Sequence, residues 1–158
     1  MFDASEIEEL QIDNVDSLYK PVKLSMNIKM NDKSTQGAGM VYFNPVLFDR
    51  EDKNYFKKDT RDYPVDFNFP LRKKYIFSIK IPEDYEVVEF PNSLKIVLPN
   101  DGGRFSYIVW NVGKNINLNC ELTINQTLFP VPNYPELKKF YEMVVAKMAE
   151  QVIIKKIN

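Results

Sequence analysis

The chain has 158 residues, of which 44% are hydrophobic and 13% aromatic, and its formal net charge is -1; it can build a core, and no whole-molecule field draws in nucleic acid or an anionic membrane. There is no histidine and one cysteine, Cys120, which removes Ser-His and Cys-His nucleophile pairs, the commonest zinc ligand, multi-thiolate metal sites and an internal disulfide. No apolar run reaches the length of a membrane span, and the start M-F-D-A-S-E-I-E-E-L is acidic where a signal peptide is basic and then apolar, so membrane insertion is not expected.

Residues 5–13 carry a modest strand signal, with Leu10 and Ile12 two apart and Asn14 and Asp16 as turn formers behind them. From Val22 to Met30 apolar and polar residues alternate, the pattern of an antiparallel strand with one dry and one wet face. Asn31-Asp32-Lys33-Ser34 reads as a turn and Gly37 to Phe43 as the returning strand, which predicts a hairpin between these two segments. Asn44 to Lys58 breaks the rhythm with Pro45 and the charge run Asp49-Arg50-Glu51-Asp52-Lys53. It reads as a long loop of the functional or mobile kind.

The loop leads into D-T-R-D-Y-P-V-D-F-N-F-P-L-R-K-K-Y, residues Asp59 to Tyr75, the densest mixture of aromatics, prolines and charges in the chain. Tyr63, Val65, Phe67 and Phe69 fall two apart and share one face of an extended segment, predicting a half-buried strand. Pro64 and Pro70 lack the N–H a ladder needs, so that strand belongs at a sheet edge or a bulge. Tyr75, Phe77, Ile79 and Ile81 then alternate with Ile76, Ser78 and Lys80 until Pro82. Glu86 to Phe90 and Leu94 to Leu98 are short strand candidates, and Asn100-Asp101-Gly102-Gly103 is the strongest turn signal because these residues tolerate positive φ. Arg104 to Asn111, a turn at Gly113-Lys114-Asn115, and Ile116 to Ile124 complete a meander, with Ile116, Leu118, Cys120, Leu122 and Ile124 on one side.

Near residue 133 the period changes. Tyr134, Leu137, Phe140, Tyr141, Val144, Val145 and Met148 follow helical spacing and predict a helix over about 133–150. Asn133 with Glu136 has the form of a capping box, and Pro135 is tolerated in a first turn. Val152-Ile153-Ile154 is β-branched and predicts that Gln151 to Ile157 is a short terminal strand or an extended tail. The sum is a mainly β chain: an antiparallel two-layer β-sandwich with one C-terminal α-helix, forming a single domain.

R-D-Y-P-V-D-F-N-F-P at Arg61 to Pro70, I-P-E-D-Y at Ile81 to Tyr85, and Y-P-E-L-K-K-F-Y-E-M-V-V-A-K-M-A-E-Q-V-I-I-K-K at Tyr134 to Lys156 resemble the β-sandwich domain of unknown function at the C-terminal end of bacterial transglutaminase-like proteins. The likeness covers about the C-terminal two-thirds of the chain. It implies a non-catalytic accessory module, an exported parent (periplasmic or at the cell surface), and Met1 as a start added to an excised segment. The papain-like Cys-His-Asp centre of such parents lies upstream of this domain, and the absence of histidine here means that its chemistry cannot be carried over.

Five residues stand out as interaction or structural candidates. Arg61, Tyr63, Asp66 and Phe67 form one group, with an arginine–carboxylate pair at a strand edge and inward-packed aromatics as the structural reading. Trp110 is the fifth, on the opposite strand face from Phe105 and Tyr107, so the three cannot make one surface. Lys57, Lys58, Arg61, Arg72, Lys73 and Lys74 are interleaved with Asp59, Asp62 and Asp66, a mixed-sign solvated face rather than a nucleic-acid surface. Neither Glu83-Asp84 nor Asp49 to Asp52 reproduces a calcium loop, and no metal, cofactor or catalytic residue is expected. The expected partners are the other domains of a parent protein, with a glycan or peptide on the outer sheet face as the alternative.

Overall fold

A computed structural model describes residues 4–30, 34–37 and 39–157. The chain divides into two compact units, residues 1–33 and 34–158.

In the first unit β1 (Ala4–Asp13) and β2 (Lys23–Met30) form an antiparallel hairpin. β2 therefore pairs backwards with β1, and the hairpin expected between residues 22–30 and 37–43 is not found; the turn proposed at 31–33 lies outside the described residues. Ile7 sits opposite Ile28 and Ile12 opposite Leu24, yet Ile7 and Leu10 are three apart, a spacing that would put them on opposite faces. A bulge resolves the conflict. Glu9 takes φ of 52° and the register shifts between Glu8 and Gln11, so that Ile7, Leu10 and Ile12 stay on one face with Leu24 and Met26.

The second unit holds two four-stranded antiparallel sheets. One has the order β6 (Leu71–Lys80), β10 (Asn115–Ile124), β9 (Gly103–Val112), β8 (Leu94–Val97); the other runs β3 (Thr35–Gly37), β4 (Met40–Phe43), β12 (Val152–Lys156), β7 (Tyr85–Glu89). A short ladder joins β5 (Val65–Asp66) to β11 (Leu128–Phe129). The period-two stripes set the layers: Tyr75 and Phe77 of β6, Phe105, Tyr107 and Val109 of β9, and Ile116 to Ile124 of β10 point into the same core as Val152 and Ile154 of β12. Helix α1 (Tyr134–Met148) closes it with Leu137, Phe140, Tyr141, Val144 and Met148. This is the expected antiparallel sandwich with a C-terminal helix and terminal strand. β12 lies between β4 and β7, so the last strand is central in its sheet.

The turns follow their chemistry. Gly113 takes φ of 57° between β9 and β10, and Asn100 and Asp101 take 55° and 53° in the turn joining β8 to β9. Gly103 is needed for closeness instead: a Cβ there would lie 2.8 Å from the Thr123 carbonyl oxygen. At the start of α1 the expected capping box is not made, because Asn133 has φ -90° and ψ 0° and its side chain caps nothing. A single-turn 3-10 segment, Val131–Asn133, runs into the helix and takes over the first turn.

The segment from 44 to 64 is not a free loop. Asn44 donates through Nδ2 to the Met148 carbonyl at 2.7 Å while its Oδ1 accepts the Val46 N–H at 2.8 Å. Asn54 repeats the device ten residues on, donating to Lys138 O and accepting from Phe56 N–H. Tyr134 donates to Lys58 O and Tyr75 to Asp49 O, both at 2.7 Å. Each asparagine forms an Asx turn that aims the next apolar residue but one, Val46 or Phe56, into the core.

Candidate functional site

The clasped loop, β5, β6 and α1 together line an open cleft of about 370 Å³. Tyr55, Phe56, Phe67 and Tyr141 supply its aromatic walls, with Phe56 and Tyr141 edge to face at 5.0 Å and Phe67 stacked near Tyr141 at 6.4 Å. Such a volume is at the small end of ligand sites.

Its polar side is built from Glu51 and Lys73, joined at 2.8 Å, with Asp49 3.7 Å from the same ammonium and Asp66 at the rim. Lys73 occupies an inward position of β6, in phase with Leu71, Tyr75 and Phe77, which carries its ammonium toward the loop. Glu51 is buried to 9% exposure although it stands in the run D-R-E-D-K. Burial works against the Lys73 charge, but the hydrogen bond and field of Glu51, with Asp49 behind them, more than offset it and hold the ammonium above its ordinary range. The Tyr141 phenol is pushed up, by burial first and then by the field of Glu51. Among the described residues no hydrogen bond reaches Glu51 Oε2, so the carboxylate keeps acceptor capacity toward the cleft.

Of the five sequence candidates, Asp66 and Phe67 line this cleft and the other three do not. Val65 and Phe67 turn inward, but Tyr63 and Phe69 are 78% and 66% exposed, so the four-residue stripe is not a half-buried strand. The extended run stops because Asn68 takes φ of 62° and Phe69 N–H turns back on Phe67 O at 2.7 Å. Val65 and Asp66 form the ladder, and the Phe67 N–H adds one bond to Thr127 O at 2.8 Å before the chain turns away. Asp66 accepts the Asn68 N–H and Arg61 lies over the Tyr134 ring at 5.6 Å, so the arginine makes a cation–π contact instead of the expected carboxylate pair. Trp110 stands on the outer face of the first sheet, 43% exposed, directly across from Asn117 and on the far side from Phe105 and Tyr107.

Glu51, Lys73, Tyr55 and Tyr141 also line the cleft and were not among the five candidates read from the sequence. Lys73 had a visible signal, a charge on the apolar phase of a strand; Glu51 had none within a charge run. Cys120 is buried in β10, and burial pushes its thiol up to about 12. Among the described residues no group of three or more Cys, Asp or Glu side chains is placed to hold a metal ion, and no helix is long and apolar enough to cross a membrane.

The fold is similar to the crystal structure of a putative protease from Parabacteroides distasonis ATCC 8503, with a TM-score of 0.60 at 12% identity over 75% of this chain. The chain covers 24% of that protein's length. No curated protein matches it. Residues 39–154 match the model of DUF3858, a domain of unknown function with a solved structure, and on that match the chain belongs to this family.

Proposed function

We propose that the chain acts as one accessory, non-catalytic domain of a larger, exported bacterial protein of the transglutaminase-like kind, packing against or presenting that protein's other domains. The observation that carries this reading is that the fold recurs as about a quarter of a much longer chain. Two properties of the residues support it. The lone thiol is buried and protonated at neutral pH, which leaves no activated nucleophile of the Cys-His type. The first unit presents Ile7, Leu10, Ile12 and Leu24 on one face, each more than half exposed, as a surface awaiting a partner does.

The reading of the genomic frame around the coding segment tests it. A domain bearing cysteine and histidine in the same frame upstream is the expected result; a stop codon just before Met1 overturns it. The purified chain should also show no amine-incorporating or proteolytic activity, and turnover that survives purification to homogeneity would end the non-catalytic reading.

A second reading has one specific observation behind it. Trp110 is solvent-facing, with Asn117 opposite and Asn119 and Ser78 on the same sheet face, the combination of a flat ring and amide donors that suits a glycan or an extended peptide. Binding on a glycan array that Trp110→Ala abolishes is the expected result. No hit at millimolar ligand would retire it.

A further inference from the structure

From the aromatic walls and the half-paired Glu51 we infer that the cleft between the 44–64 loop, β6 and α1 is a binding site for an alkylammonium group, such as a lysine side chain or a free primary amine. This goes beyond the accessory-domain reading and holds or fails independently of it, because the cleft belongs to this chain alone.

The charge count points to a cation. Glu51 and Asp66 line the cleft and Asp49 lies 3.7 Å from the Lys73 ammonium, so three carboxylates meet two cations, Lys73 in the cleft and Lys53 at its rim. Glu51 Oε1 is taken by Lys73 at 2.8 Å, and Oε2 accepts nothing among the described residues. A carboxylate whose second oxygen has no partner among the described residues and is not sealed off gains from a charge-assisted donor reaching it through the cleft. The walls suit the remainder of such a ligand. Phe56, Phe67 and Tyr141 offer apolar surface for a methylene stem, and ring faces attract an ammonium. Tyr55 already shows this preference at the rim, where the Lys53 ammonium lies 5.3 Å from its ring centre. An anion would meet the excess of carboxylates, and a neutral donor would reach Glu51 Oε2 with a hydrogen bond but without the charge of an ammonium.

The test is a titration of the isotope-labelled full chain, followed by backbone amide shifts, with n-butylammonium, butanol and butyrate as three probes of one shape and different charge. The amine should shift Glu51, Tyr55, Phe67 and Lys73 with a dissociation constant on the order of millimolar. Butanol should bind about tenfold more weakly, and butyrate not measurably. Glu51→Gln should weaken the amine by about tenfold, and Lys73→Met, which frees Glu51 Oε1, should tighten it. Equal affinity for amine and butanol, preference for butyrate, or an amine affinity unchanged in Glu51→Gln overturns the site. The three wild-type titrations decide the matter even if either variant fails to fold. An acetyl-Gly-Lys-Gly-amide arm then separates the sources: tighter binding than butylamine assigns the site to a polypeptide lysine, and weaker binding assigns it to a free amine.

Discussion

The two units of the chain use the same alternation of side chains and arrive at opposite outcomes. In the hairpin of β1 and β2, Ile7, Leu10, Ile12 and Leu24 share a face held in phase by the bulge at Glu9, and each remains at least half exposed. In the second unit the matching stripe of β10, from Ile116 to Ile124, is at 0% exposure throughout. Neither pattern differs in quality. The difference is the second layer: β10 lies between β6 and β9 and is roofed by β12 and α1, whereas a two-stranded ribbon has no interior of its own. Alternation specifies which face is to be covered, and packing decides whether covering it stabilises anything.

The sharpest way to break that comparison is to truncate one leucine in each unit. Leu118→Ala in β10 removes a fully buried side chain from a close-packed core and should cost about 3–5 kcal/mol. Leu24→Ala in β2, at 51% exposure, should cost less than about 1 kcal/mol. Chemical denaturation of both variants measures it. Equal losses would mean that the hairpin face is buried in solution, by another copy or by the body.

Alkaline pH should act on the second unit next most strongly. Burial raises the folded-state pKa of Cys120 to about 12 from 9.0, and the phenols of Tyr75, Tyr107 and Tyr141 are raised by burial as well. A group whose folded value lies above its unfolded value favours the folded state fully below the unfolded pKa and loses that preference as pH climbs toward the folded one. Stability should therefore be flat up to pH 9 and fall between 9 and 12, by up to roughly 1.4 kcal/mol per pH unit for each such group. Thermal melts across that range check it, and Cys120→Ala should flatten the first part of the fall. A thiol that reacts with an alkylating reagent at neutral pH as fast as free cysteine would contradict the buried placement.

Two tyrosines of the second unit sharpen the point that a buried polar group needs its partner. Tyr75 donates to Asp49 O at 2.7 Å and fastens the loop; Tyr107 is more deeply buried, and its hydroxyl finds no partner among the described residues. Tyr75→Phe should cost about 1 kcal/mol, and Tyr107→Phe should be neutral or stabilising by a similar amount. Denaturation midpoints read both. Loss of stability in both would show that a water serves Tyr107.

The sequence displayed most of the second unit, because period two and period 3.6 report on which faces are covered and the cover is present: β6, β7, β8, β9, β10, α1 and β12 all fall where the alternation or stripe placed them. It failed where geometry overrides period. The pairing of β2 turned on a bulge that hides in the three-residue gap from Ile7 to Leu10, and the run from Tyr63 to Phe69 kept a strand's alternation while Asn68 left the extended region. The cleft was hidden for a related reason. Phe67 and Asp66 were visible in the segment that carries them, but Glu51 and Tyr141 come from a loop and a helix far apart in sequence, and long-range bonds such as the two asparagine clasps at Asn44 and Asn54 bring that loop to α1. Those clasps are spelled Asn-Pro-Val and Asn-Tyr-Phe, a repeat that marks an Asx turn without saying what it will hold.

The smallest effect tests the clasp from the solvent side. Lys138 Nζ meets Asp59 Oδ1 at 2.7 Å, tying the end of the loop to α1, although Asp59 is 96% exposed. The hydrogen bond from Lys138, then its charge, hold the Asp59 carboxyl below its ordinary 3.8. A carboxyl lowered in the folded state stabilises at pH above its unfolded value and loses that contribution as pH falls below it. Asp59→Asn should thus lower the melting temperature slightly at pH 7, and the gap to the wild type should close as pH falls below 3.8. Added salt at pH 7 should shrink the same gap, since an exposed pair is screened. A gap that persists at pH 2 would mean that Asp59 acts through the backbone of the loop rather than through its charge, and would move the weight of the clasp onto Asn44, Asn54 and Tyr134.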